Sequence, residues 1–141
     1  MTLRFTVPGA PRGKGRPKFA RHGDFVRTYT DDKTAAYENL VAIAAQAAMS
    51  GRPPYDFALR MTMTATFAPP KSFSAKRRAQ MLEGAVRPAK KPDLDNVLKA
   101  VLDGCNRIVF VDDAQVVEFA DVRKVYGETP GLTVAFDRAG A

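Results

Sequence analysis

Cysteine, histidine and tryptophan are almost missing from this chain. One Cys105 and one His22 stand among 141 residues, and there is no tryptophan. A lone cysteine excludes an internal disulfide and fits a reducing compartment, so the expected location is the cytoplasm. One cysteine with one histidine leaves a structural zinc site without donors. Any metal must then be held by oxygen ligands, which favours magnesium, manganese or calcium. His22 lies in a basic stretch and reads as an exposed side chain without a role. No apolar run approaches the roughly 18–20 residues of a membrane helix. The opening "MTLRFTVPGA" lacks the order of a secretion signal and reads as a first strand.

Apolar residues make up 45% of the chain, enough for a core, and the length predicts one domain over residues 1–141. The net charge is +7, unevenly spread. Residues 1–30 hold seven Arg or Lys against one acid, and residues 71–91 again seven against one. Residues 92–121 reverse the balance, with seven acids against Lys99 and Arg107. Basic surface releases counterions from polyanions, which makes nucleic acid the leading partner.

Hydrophobic periodicity predicts the elements. Leu3, Phe5 and Val7 alternate with polar residues as a half-buried strand. "PGAPRGKGRPKFARHGD" is too rich in proline and glycine for regular structure and reads as a cationic loop. Its Arg12, Lys14, Arg16, Lys18 and Arg21 are candidate phosphate contacts. A helix is expected over residues 33–50, capped by Thr30, Asp31 or Asp32, with a stripe of Tyr37, Leu40, Ala44 and Ala47, and ended by Ser50-Gly51. Apolar residues at every odd position from Phe57 to Phe67 predict a second strand. "KSFSAKRRAQMLEGA" predicts a short basic helix offering Lys76, Arg77 and Arg78, and Lys90 and Lys91 follow it as further DNA contacts. Leu94, Val97, Leu98, Val101, Leu102 and Cys105 form one helical stripe. Residues 115–125 and 131–136 read as two antiparallel strands joined around Gly127 and Gly131. The sum is an α+β fold, a mixed sheet of about four to five strands with two main helices packed on it.

The acids concentrate in "KPDLDNVLKAVLDGCNRIVFVDDAQV". Asp93 and Asp95 straddle a helix start, and Lys99 lies one turn beyond Asp95 on the same face. Asp103 is placed to pair with Lys99, four residues before it. Asp112-Asp113 follows far enough on for the chain to double back. Carboxylates brought together this way repel one another unless a divalent cation or a structural partner neutralises them. Each acid alone has a plainer account, as a helix cap or a turn residue.

"KPDLDNVLKAVLDG" with "VFVDDAQVVEF", "GAPRGKGRPKF" and "YTDDKTAAYENLV" closely resembles the RusA-type Holliday junction resolvases, a prophage-associated and bacterial family of about this length. The segment "DGCNRIVF" departs from the alanine-leucine-asparagine-glycine turn of many relatives, in the loop and not at the residues the resemblance implies as metal ligands. The resemblance implies that Asp93, Asp95 and Asp113 are the catalytic, metal-binding carboxylates and Lys99 the catalytic lysine, with Asn96 and Asp112 in support. It further implies Mg2+ as cofactor, with Mn2+ as substitute, and a homodimer that hydrolyses phosphodiesters in Holliday junctions during DNA recombination and repair. The rival is a non-catalytic basic DNA-binding module whose aspartates are structural. A restriction-enzyme-like motif fails because the acid-x-lysine, Asp31-Asp32-Lys33, precedes Pro92-Asp93 instead of following it.

Overall fold

The computed structural model describes residues 2–14, 18–23, 25–29 and 32–140, with only the backbone of 18–22 and 25–29. The expected caps Thr30 and Asp31 lie outside the described residues, as does Arg16, and so do the side chains of Lys18, Arg21 and His22.

β1 (Thr2–Pro8) buries Leu3, Phe5 and Val7 and exposes the residues between them, as strict alternation requires. Residues 9–14 are irregular. The cationic stretch is not irregular throughout, however. β2 (Lys18–His22) and β3 (Phe25–Tyr29) pair antiparallel as a separate two-stranded sheet, Lys18 opposite Tyr29 and His22 opposite Phe25. No proline follows Pro17 in this stretch to interrupt the ladder, and Gly23 takes the turn at φ 61°.

α1 (Asp32–Met49) buries Thr34, Tyr37, Val41, Ala45 and Met49. The buried face is therefore rotated from the expected stripe: Leu40 is 46% exposed and Ala47 is exposed as well. Alanine on every side leaves the helix only weakly amphipathic, so the larger Val41 and Met49 decide which face turns inward. Ser50 and Gly51 end it in left-handed conformation, at φ 51° and 77°.

β4 (Leu59–Phe67) follows, with Leu59, Met61, Met63 and Ala65 fully buried. α2 (Ala75–Leu82) is short and exposed apart from Met81 and is capped by Ser74, whose hydroxyl accepts from the Arg77 N–H. α3 (Leu94–Cys105) buries Val97, Ala100, Val101, Gly104 and Cys105. β5 (Val116–Tyr126) and β6 (Gly131–Arg138) complete the chain.

The main sheet is mixed, in the order β1-β6-β4-β5. β4 runs antiparallel to β6 and parallel to β5. This corrects the expected pairing of the last two strands. They run in opposite directions, but β4 lies between them. The fully buried alternation of β4 suits a central strand, and the Gly127 N–H donates to Phe67 O where the chain passes the end of β4. β5 is an edge with two bulges against β4, at Val117 and Ala120. Bulges of this kind interrupt a continuous edge and discourage further strand addition.

One core joins these parts: Leu3, Phe5 and Val7 of β1, Tyr37, Val41 and Ala45 of α1, Val97 and Val101 of α3, and Val134 and Phe136 of β6. The two helices approach closely at Gly104, where a Cβ would meet Glu38 O and Val41 Cβ, both at 2.8 Å. That contact brings the C-terminal half of α3 beside the start of α1, which positions the charged groups described next.

Candidate active site

The first turn of α3 carries two acids without structural employment. Asp93 occupies the N-cap position, yet its side chain makes no capping hydrogen bond. Among the described residues, Asp95 accepts only from the N–H of its neighbour Asn96, through Oδ1 at 3.0 Å. Both are exposed. An acid at a helix N-terminus faces the positive end of the dipole, so neither needs a cationic partner to be tolerated there.

The second acidic doublet is fixed by a side chain to which the sequence reading gave no role. Gln115 ends the 3-10 turn Asp113–Gln115. Its Oε1 accepts from the N–H groups of Val111 and Asp112, at 2.8 and 3.0 Å. Its Nε2 donates to Tyr55 O and Phe57 O, at 2.8 and 3.1 Å. The turn bearing Asp112 and Asp113 is thereby fastened to the segment entering β4. Gln115 stands in "DDAQV", but a glutamine after a doublet of acids gives no hint of a clamp closed by residues sixty positions upstream.

Lys99 joins the two acidic segments. Its Nζ lies 3.4 Å from Asp113 Oδ2 and 3.0 Å from Asp103 Oδ1. Asp95 is one turn before Lys99 on the same exposed face, and the Asp112-Asp113 turn returns beside the middle of α3, at Lys99. Asp103 also receives Lys14, at 2.5 Å, and Lys14 stands 3.2 Å from Glu38 Oε1. The latter contact is an ion pair without hydrogen-bond alignment, for Glu38 Oε1 is buried and accepts no hydrogen bond. Burial raises the Asp103 pKa, but hydrogen bonds from Lys14 and Lys99 outweigh it and the net shift is downward. Both lysines are shifted upward, first by their hydrogen bonds to Asp103.

The cationic groups lie in two places around these acids. Arg12, Lys33 and Lys91 line a cavity of about 450 Å³ with Gly13, Thr34 and Pro92, and none of the three has a carboxylate partner among the described residues. Lys33 was not among the expected contacts; it follows two acids in sequence, which hid it. Lys76, Arg77 and Arg78 are exposed on α2, with the Arg77 guanidinium 4.2 Å from the Phe73 ring centroid. Lys90 stands 5.9 Å from the same ring, and its carbonyl accepts from Lys124 Nζ. Lys14 stands apart, its charge already met by two carboxylates. Cys105 is buried, and burial pushes its thiol up to about 12, so it is inert at neutral pH.

A model of the Endodeoxyribonuclease RusA family matches residues 8–136, from the end of β1 to within β6. The chain belongs to the RusA endodeoxyribonuclease family. The RusA match takes in both cationic segments, α3, Lys99 and the Asp112-Asp113 turn together. The chain is also similar to the Uncharacterized protein YqaN of Bacillus subtilis (strain 168), at 31% identity over 146 residues, covering 99% of this chain and 98% of that protein. No helix among the described residues is long and apolar enough to cross a membrane.

As to a metal, no three His, Cys, Asp or Glu side chains among the described residues stand in a ready-made cluster. The donor chemistry nevertheless fits a hard divalent cation. Asp93 is unengaged, Asp95 uses one oxygen locally, and the nearest positive charge to Asp113 is the Lys99 ammonium, a group that can shift away on its flexible stem. All donors are oxygen, as such a cation prefers.

Proposed function

We propose that the chain is a metal-dependent, structure-selective endodeoxyribonuclease that resolves four-way Holliday junctions in DNA recombination and repair, with residues 1–141 acting as one nuclease domain. The observation that carries this reading is Lys99 bridging Asp103 and Asp113 one turn after Asp95, in a chain of the RusA family that has cationic segments suited to DNA. Asp93, Asp95 and Asp113 would hold Mg2+, or Mn2+ in its place. When bound, such a cation supplies Lewis-acid chemistry to the phosphodiester and to the attacking water.

The remaining work falls to the chain itself. Lys99 keeps a compact positive charge beside Asp113, where it stabilises charge developing on the phosphoryl oxygens. Gln115 and Asp112 hold the turn that presents Asp113, and Asn96 anchors the residue 12–14 segment through its carbonyl, which accepts from the Lys14 N–H at 2.9 Å. Arg12, Arg16, Lys18 and Arg21 of the first cationic segment, and Lys76, Arg77, Arg78, Lys90 and Lys91 of the second, contact phosphates and set the register of the DNA. A two-fold junction must be cut on opposed strands, so a C2 homodimer with two sites is the matching assembly. The outer face of α1 supports this: residues 39–49 carry no charge, and Leu40 and Ile43 are exposed.

The test is a panel of labelled four-way junction, flap, fork and duplex, incubated with and without Mg2+ or Mn2+ on wild type and Asp95→Asn. Paired symmetric incisions in the junction, stopped by EDTA and absent in the variant, are expected. Salt-sensitive binding without a single nick would leave only a DNA-binding module.

A further inference from the structure

Five charged groups of alternating sign run in one line through the molecule, from Glu38 to Lys14, Asp103, Lys99 and Asp113. Only the last two belong to the site as proposed. We infer that Asp103 and Lys14 are positioning residues that hold the Lys99 ammonium against the Asp113 turn. This rests on the nuclease reading of Lys99 and Asp113 and adds to it the two groups that aim the lysine.

Three features carry the inference. A lysine on a flexible four-carbon stem loses much rotamer freedom when it is fixed, and the Lys99 side chain is 54% exposed, so packing does not fix it. The nearer of its two carboxylates is Asp103 at 3.0 Å, one helical turn on, against 3.4 Å for Asp113. Next, Asp103 sits close to the C-terminus of α3, where the dipole opposes an acid. It is held there because each oxygen takes one ammonium, Oδ1 from Lys99 and Oδ2 from Lys14. That double engagement fixes the carboxylate from both sides.

Lys14, finally, is tied down at its backbone. Its N–H donates to Asn96 O, and Gly13 lies so close to α3 that a Cβ would stand 2.9 Å from Asn96 Cβ and 3.0 Å from Pro92 Cβ. With Asp103 and Glu38 both on its ammonium, Lys14 has little charge left for a phosphate. Its place in the cationic segment hides a different task, which is to brace Asp103.

Two measurements test this. The first is single-turnover cleavage of a labelled junction by wild type, Asp103→Asn, Lys99→Ala and the double variant. Asp103→Asn is expected to slow cleavage about tenfold or more while junction affinity stays within about twofold, and to add less than about twofold when Lys99 is already alanine. Asp103→Glu should recover part of the loss. Lys14→Met should act the same way more weakly and leave the salt dependence of binding unchanged, whereas a phosphate ligand would lower the slope by about one.

The second is the lysine Nζ resonances of the metal-free protein, where Asp103→Asn should move the Lys99 signal and spare Lys71 and Lys76. An equal loss from Asp103→Asn in both backgrounds, an unmoved Lys99 signal, or a lower salt slope for Lys14→Met would overturn the inference. If wild type cuts nothing under any metal, the nuclease reading fails, yet the resonances still decide whether Lys14 and Asp103 hold Lys99.

Discussion

The two ends of α3 treat acids in opposite ways. At the first turn Asp93 and Asp95 are exposed, lack cationic partners among the described residues and are helped by the dipole. Near the last turn Asp103 is three-quarters buried and opposed by the dipole, and it is bound by two lysines. An acid that needs pairing to exist is a structural or positioning group. Acids left unpaired among the described residues, with no capping bond from Asp93, are the ones proposed to take an external cation. On that proposal the difference separates ligand-binding carboxylates from bracing ones along a single helix.

The largest expected effect falls on the unpaired end. Asp93→Asn should reduce junction cleavage by at least about a thousandfold, as loss of a metal ligand does. Binding should be kept or strengthened, since a negative charge facing DNA is removed. Cleavage assays with gel-shift titrations in EDTA measure both. Weakened binding with a native far-ultraviolet spectrum would erase the proposed distinction between the two ends.

A smaller effect is expected one step from the chemistry. Gln115→Ala leaves the N–H groups of Val111 and Asp112 and two carbonyls without partners, at about 1–3 kcal/mol for each that water cannot reach. Thermal unfolding should shift down and cleavage should fall with it, because the Asp113 turn is no longer fastened to Tyr55 and Phe57. Gln115→Glu sharpens the point: it keeps the two acceptor bonds but sets an anionic oxygen against the Tyr55 and Phe57 carbonyls, so it should be at least as destabilising as alanine. DNA affinity should hardly change in either variant.

The sheet and its helices were legible wherever one face is buried. Leu3, Phe5 and Val7, the odd residues of β4 and the stripe of α3 all follow a strict period; the structure buries the β1 residues, Leu59 to Ala65 of β4, and Val97, Val101 and Cys105 of α3, and leaves Phe67, Leu94, Leu98 and Leu102 half-buried. The face of α1 was not legible, because alanine at most positions removes the contrast that periodicity depends on. Strand order was not legible either: alternation reveals a half-buried strand but not its neighbour, and β4 entered between β5 and β6. At the proposed site, Asp93, Asp95, Lys99 and Asp113 stood out as acids and a lysine gathered in one segment, and their proposed roles came from the family resemblance. Gln115 did not, because its partners are carbonyls far upstream. The contacts of Lys14 with Asp103 and Glu38 were not legible, since a lysine in a cationic stretch has the same letter whether it meets a phosphate or an aspartate.

The least of the expected effects concerns pH and the paired end alone. Asp103 has a folded-state pKa below its ordinary value of 3.8. Its contribution to stability is therefore present above that ordinary value and is lost as pH falls through the lower, folded one. Asp103→Asn removes the titrating group, so wild type should be the more stable of the two at pH 6, and the gap should close as the solution is acidified below about pH 4. Urea unfolding of both proteins from pH 6 down to pH 3 measures this. A gap that stays constant over that range would mean that Lys14 and Lys99 do not favour the ionised Asp103 carboxylate, and the contrast between the two ends of α3 would lose its paired member.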